Sequence, residues 1–113
     1  MHGQLHFAKT MASAGTLSSE FDLGGGFENV FLGIPSMTSN SAIYIQVASS
    51  AGGTYRRCTH PAINTSTAEI NDFIIPSYVT NRMVPIPNGF RYYKVETTAT
   101  INNGAIFTIV CGD

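Results

Sequence analysis

The run Val84-Pro85-Ile86-Pro87-Asn88-Gly89-Phe90-Arg91-Tyr92-Tyr93-Lys94-Val95-Glu96-Thr97 leads into Asn102-Asn103-Gly104 and Ala105-Ile106-Phe107-Thr108-Ile109-Val110-Cys111. It reads as strand, tight turn, strand, hairpin turn, strand. Asn-Gly supplies the positive φ of a two-residue hairpin turn, and between alternating apolar residues it is a strong hairpin signal. It occurs at Asn88-Gly89 and again at Asn103-Gly104. An antiparallel β protein is expected, with a hairpin at the second Asn-Gly and a tight turn at the first. Tyr93, Val95, Thr97 and Ala99 form one strand face; Tyr92, Lys94, Glu96 and Thr98 form the solvated one. In the last strand Phe107, Ile109 and Cys111 belong to the core, with Ile106, Thr108 and Val110 outward or toward a neighbour. Pro85 and Pro87 lack amide donors, which places their strand at a sheet edge.

Working back from this run, the same period of two recurs. Ile43, Ile45 and Val47 alternate with Tyr44 and Gln46, and Val30, Leu32 and Ile34 form another inward set. Leu17, Ser19, Phe21 and Leu23 share a parity and are expected inward, ended by Gly24-Gly25-Gly26 as a turn or bulge. Thr54–Thr59 is a further strand, and Phe73-Ile74-Ile75 favours a short one. No segment sustains a helical period. About eight strands follow, and sheets with one apolar face must bury it against each other. The fold class is all-β: an antiparallel β-sandwich, with a jelly roll expected. Residues 1–14 form an N-terminal arm and 15–113 the sandwich. Leu5 and Phe7 alternate with Gln4, His6 and Ala8, so the arm reads as a short strand, a frayed end or a segment ordered on a partner.

Composition narrows the function. The chain has 113 residues, 43% hydrophobic but only 12% charged, with net charge −1. That size fits one domain. Arg56-Arg57 is an adjacent basic pair, and alternation sends its two side chains to opposite faces, so no basic stripe meets a nucleic-acid backbone. No run reaches the ~20 apolar residues of a spanning helix. Residues 1–14 do not have the apolar stretch of a secretory signal, so synthesis and assembly in a cytoplasm are expected. Cys58 and Cys111 then read as small buried side chains, with a bridge left open by sandwich geometry.

No catalytic or metal-binding constellation emerges, and no cofactor is expected. His2 and His6 have a zinc-like spacing but no helix to present it. Glu20 and Asp22 share a strand face and read as solvated. His60 is the one plausible base for a triad, and no nucleophile elbow accompanies it. Asn64-Thr65-Ser66 fits a glycosylation acceptor. Of the five tyrosines, Tyr44 and Tyr92 fall on expected outer faces, where they can stack on a glycan, enter an interface or pair across strands.

The order Ser19-Glu20-Phe21-Asp22-Leu23-Gly24, Val30-Phe31-Leu32-Gly33-Ile34-Pro35, Ile43-Tyr44-Ile45-Gln46-Val47, Gly52-Gly53-Thr54-Tyr55 and Val84 to Glu96 resembles small virion proteins that decorate or cement the heads of tailed bacteriophages. The similarity lies in the pattern of strands and turns over about residues 17–112. It implies a jelly-roll-like sandwich, a homodimer or homotrimer on the capsid surface of the virion, and contact with the major capsid protein. Leu5 and Phe7 are the candidate partner contacts in this reading. The alternatives are a carbohydrate-binding sandwich using Tyr44 and Tyr92, and a fibre or baseplate component.

Overall fold

The structure is a computed structural model that describes residues 5–10, 17–36, 41–59, 72–77, 79–99 and 105–112. The strands are β1 (Leu5–Thr10), β2 (Phe21–Asp22), β3 (Asn29–Ile34), β4 (Ile43–Ala48), β5 (Arg56–Arg57), β6 (Ile74–Ile75), β7 (Arg82–Pro85), β8 (Tyr92–Thr97) and β9 (Ile106–Gly112). All pairings are antiparallel. The first sheet has the order β1-β9-β3-β7; the second runs β2-β8-β4-β5, with β6 also on β4. The molecule is a β-sandwich.

The apolar alternation of each strand accounts for the layer between the sheets. Val30, Leu32, Ile34, Phe107, Ile109 and Cys111 enter it from the first sheet, and Phe21, Ile43, Ile45, Tyr93 and Val95 from the second. Every inward residue expected in the last strand is therefore in the core. Pro85 lies in β7, an edge strand as expected, where a missing amide costs no ladder bond. Cys58 and Cys111 are both buried as thiols. Burial pushes the Cys58 thiol up to about 11, so little of it is thiolate at neutral pH.

Three expectations change. The first concerns Asn88-Gly89 and Asn103-Gly104. β7 and β9 lie in the first sheet and β8 in the second, so both connections cross between layers and neither closes a hairpin. The residues Asn102–Gly104 themselves lie outside the described set. At Asn88-Gly89 the reason is visible. After β7 the chain stays on the β3 side: the Ile86 amide donates to the Val30 carbonyl at 3.0 Å, and the Gly89 amide to Phe27 at 3.1 Å. The Asn88 side chain donates to the Glu28 carbonyl. Gly89 has φ +87°, and its carbonyl oxygen stands 2.8 Å from where a Cβ on Gly26 would be. The turn is thus packed against residues 26–28, which direct it to the other sheet.

The second change is in the Leu17–Leu23 alternation. Phe21 and Leu23 are buried, but Leu17 is 42% exposed and Ser18 is buried instead. Phe21 pairs with Tyr93 and Leu17 bridges to Glu96, so the register slips by one residue between them. Such a slip moves every side chain to the opposite face. Ser18 occupies the inward position because its hydroxyl oxygen accepts the Val95 amide at 2.9 Å while its own amide donates to the Val95 carbonyl.

The third change concerns Tyr92, expected on the solvated face. It is 8% exposed. The segment read as an arm also has a definite place in part. Its residues 5–10 form β1, paired along their length with β9, with Leu5 opposite Cys111 and Phe7 opposite Ile109. His2, His60 and Asn64-Thr65-Ser66 lie outside the described residues.

Candidate functional site

The two outer faces of the sandwich differ in chemistry. On the second sheet, outward positions of β2, β4, β5 and β8 carry charged and aromatic side chains. Glu96 on β8 accepts from Gln46 at 2.8 Å and from the Arg57 guanidinium at 2.6 and 2.9 Å. Arg57 reaches Asp72 at 3.3 Å and lies 3.8 Å over the Tyr44 ring. At the other end, Arg91 pairs with Asp22 at 2.7 Å and sits 5.0 Å from the Tyr92 ring. Between them the Tyr55 hydroxyl donates to Glu20, the Gly52 amide donates to the same carboxylate at 3.0 Å, and Lys94 lies 4.6 Å from the Tyr55 ring. Glu20 and Asp22 do share a region, yet each is bound to its own partner.

This arrangement bears on the glycan expectation. A sugar needs an open ring face to stack on. At Tyr44 a guanidinium occupies one face, and Tyr92 is buried. The tyrosines hold the sheet's own cations against their ring faces. The sequence signal was incomplete: alternation placed Tyr44 outward, but its partner Arg57 lies on a neighbouring strand.

Glu96, Asp22 and Glu20 on this face titrate low. The Arg57 guanidinium holds the Glu96 carboxyl below its usual range, Arg91 does the same for Asp22, and the Tyr55 hydroxyl for Glu20. A depressed folded-state pKa stabilises the fold above the unfolded-state value, about 4.3 for Glu, and that contribution is lost as pH falls through the folded-state value. The thermal midpoint is expected to hold steady from neutral pH to about 5 and to drop below that. A Glu96→Gln variant should show a shallower drop. Equal acid profiles would assign the effect to other groups.

On the first sheet the alternating outward positions of β3, β7 and β9 are uncharged, although β7 also carries the exposed Arg82 opposite Ile34. The outward positions there are Asn29, Phe31 and Gly33, Met83 and Pro85, and Ile106, Thr108, Val110 and Gly112, of which Val110 is itself buried. Phe31 stands between Val110 and Pro85, and Gly33 between Thr108 and Met83. Met83 is 54%, Ile106 51% and Phe31 37% exposed. The sulfur of Met83 lies 3.4 Å from where a Gly33 Cβ would stand, so the Met83 side chain leans over that gap. A cleft of about 510 Å³ opens at one end, lined by Thr59, Phe73, Pro85, Ile86, Pro87 and Asn88. Sequence reading placed Ile106 and Val110 outward or toward a neighbour, and Ile106 is exposed while Val110 is buried, but it did not find this face, because its rows exist only once β3, β7 and β9 are known to be neighbours. The candidate contacts Leu5 and Phe7 are in β1, at the edge of the same sheet.

No protein-family model matches the sequence, and no curated protein matches it. Among solved structures the chain is similar to the crystal structure of the SPBc2 prophage-derived protein YomS, at 14% identity and a TM-score of 0.65. The match covers 100% of this chain and 96% of that one, so the likeness is one of fold across the whole domain.

Proposed function

We propose that this chain is a non-enzymatic structural protein of a bacteriophage particle, one that decorates and stabilises the capsid exterior by binding the major capsid protein. The observation that carries the reading is the whole-chain likeness in fold to a prophage-derived protein, with 100% and 96% of the two chains covered. The strand order adds support. Sheets ordered β1-β9-β3-β7 and β2-β8-β4-β5 send most connections across the sandwich, and we read this order as the jelly roll expected from the sequence. Such a body is stiff, and repeated copies on a lattice gain avidity from individually weak contacts.

The test uses the purified chain and empty heads of the phage that encodes it. Saturable co-sedimentation with heads is the expected result. Sedimentation with isolated tails and not with heads would transfer the protein to a fibre or baseplate role. Failure to sediment with either would overturn the virion reading. Leu5→Ser and Phe7→Ser, rather than deletion of residues 1–14, test the arm, because deletion would also remove the partner strand of β9.

A further inference from the structure

Asn88-Gly89 carries covalent chemistry as well as a turn. We infer that this pair is a site of self-modification, deamidation through a cyclic imide, which the crossover between the sheets holds closed until it opens locally. The reaction needs only hydroxide and water. The Gly89 amide nitrogen, deprotonated by hydroxide, attacks the carbonyl carbon of the Asn88 side chain. A new C–N bond closes a succinimide ring, the bond to the side-chain nitrogen breaks, and that nitrogen leaves as ammonia. Water then opens the ring at either carbonyl and leaves aspartate or isoaspartate. Glycine after asparagine suits the step because no Cβ stands in the way of the ring.

Access is open, and geometry is what the fold withholds. Asn88 and Gly89 are both exposed, so water and hydroxide reach them. The attacking nitrogen is occupied: the Gly89 amide donates to the Phe27 carbonyl at 3.1 Å, and that bond retains the proton that must leave. The electrophile is tied as well. The Asn88 side-chain nitrogen donates to the Glu28 carbonyl, so the side chain is not free to fold onto the Gly89 nitrogen. Both restraints come from the segment before β3, and close packing sets its distance: a Cβ on Gly26 would stand 2.8 Å from the Gly89 oxygen. Ring closure therefore requires the turn to part from residues 26–28, and the native rate is the unfolded-chain rate scaled by the open fraction. The product cannot remake the same contacts. Aspartate at position 88 offers the Glu28 carbonyl a carboxylate in place of a donor. The Pro87 carbonyl in the same crossover accepts the Tyr93 hydroxyl, so the reaction loosens a junction on which a core residue depends.

The experiment follows the full chain in mildly alkaline buffer, native and in denaturing urea, by mass spectrometry after trypsin. Cleavage at Arg82 and Arg91 releases Met83–Arg91, in which Asn88 is the sole asparagine. Asn103-Gly104, on the peptide that follows Lys94, reports the same chemistry in the unfolded chain. In urea the two sites are expected to react at similar rates. In the native protein Asn88 is expected to react about tenfold or more slowly than in urea, because reaction waits on local opening. Gly26→Ala, which forces the two segments apart, should raise the native rate several-fold. Circular dichroism shows whether this variant folds, and if it does not, the native-to-urea ratio of the wild type decides alone. Asn88→Asp should lower the thermal midpoint. Equal rates at Asn88 in the native and urea-unfolded wild type would overturn the inference, as would a folded Gly26→Ala variant that reacts at the wild-type rate. An Asn88→Asp midpoint equal to that of the wild type would overturn the loosening of the crossover. All of these measurements use the purified chain, so their outcome is separate from that of head binding.

Discussion

Replacing Tyr93 by alanine is expected to cost roughly 4 kcal/mol of unfolding free energy, within the range for deleting a large buried aromatic. Tyr93 is fully buried, on the core face of β8. Its ring meets Phe90 edge-on at 6.2 Å and 82°. Its hydroxyl donates to the Pro87 carbonyl at 2.7 Å. That bond joins the first residues of β8 to the loop that carries the chain across from β7, so one side chain fills the core and fixes a crossover. Burial also holds the phenol protonated well above its usual range. Tyr93→Phe keeps the volume but leaves the Pro87 carbonyl without this donor, and about 1 kcal/mol is expected for it. Urea denaturation at constant slope separates the two, because a domain with 5–15 kcal/mol in total loses a large share of its stability in the alanine variant. A loss under about 1.5 kcal/mol for Tyr93→Ala would mean that neighbouring side chains close the gap.

Tyr93 also shows what the sequence could and could not convey. Its parity with Val95 and Thr97 placed it on one face, and all three are buried. The same period identified Val30, Leu32 and Ile34, Ile43 and Ile45, and Phe107, Ile109 and Cys111. Alternation reports the side to which a residue turns, and that is a local property of the strand. It does not report which strand lies alongside. Asn88-Gly89 looked like a tight turn between adjacent strands, yet Phe27, Glu28 and Val30, some 60 residues away in sequence for Asn88 and Glu28, hold it in a crossing between sheets. The one-residue slip between Leu17 and Phe21 was hidden for a similar reason. It depends on the Ser18 hydroxyl finding the Val95 amide 77 residues on. The candidate faces suffered most. Tyr44 was placed correctly, but its chemistry depends on Arg57 from β5, and the apolar face depends on β3, β7 and β9 lying side by side. Pairing between strands had to be known before either surface could be read.

Ser41 leads to the second large effect, at a residue that no strand pattern singles out. It precedes β4 and is 1% exposed. Its hydroxyl oxygen accepts the Thr98 amide at 3.0 Å and the Ala99 amide at 3.2 Å, and its hydroxyl donates to the Ala42 carbonyl at 3.0 Å. Across the same junction the Ala42 amide donates to the Thr98 hydroxyl at 3.1 Å, and the Thr98 amide also reaches the Ala42 carbonyl at 3.1 Å. These bonds continue the β4–β8 ladder past the last strand pair, Ile43 with Thr97, where the backbone alone no longer matches donors to acceptors. Ser41→Ala removes the acceptor shared by two amides. Thr98 retains the Ala42 carbonyl, so the uncompensated loss falls on Ala99. The Ala99 amide is only partly buried, so water meets part of the loss, and a total of about 1 kcal/mol is expected for the hydrogen bonds removed. Hydrogen exchange locates the effect as denaturation cannot: the Ala99 amide should lose protection selectively, while amides at the centre of β8 change only with global stability. A stability change below about 0.5 kcal/mol with Ala99 still protected would mean that water or the Thr98 hydroxyl takes over the acceptor role. A uniform loss of protection across β8 would mean that Ser41 acts on the whole ladder instead of its end.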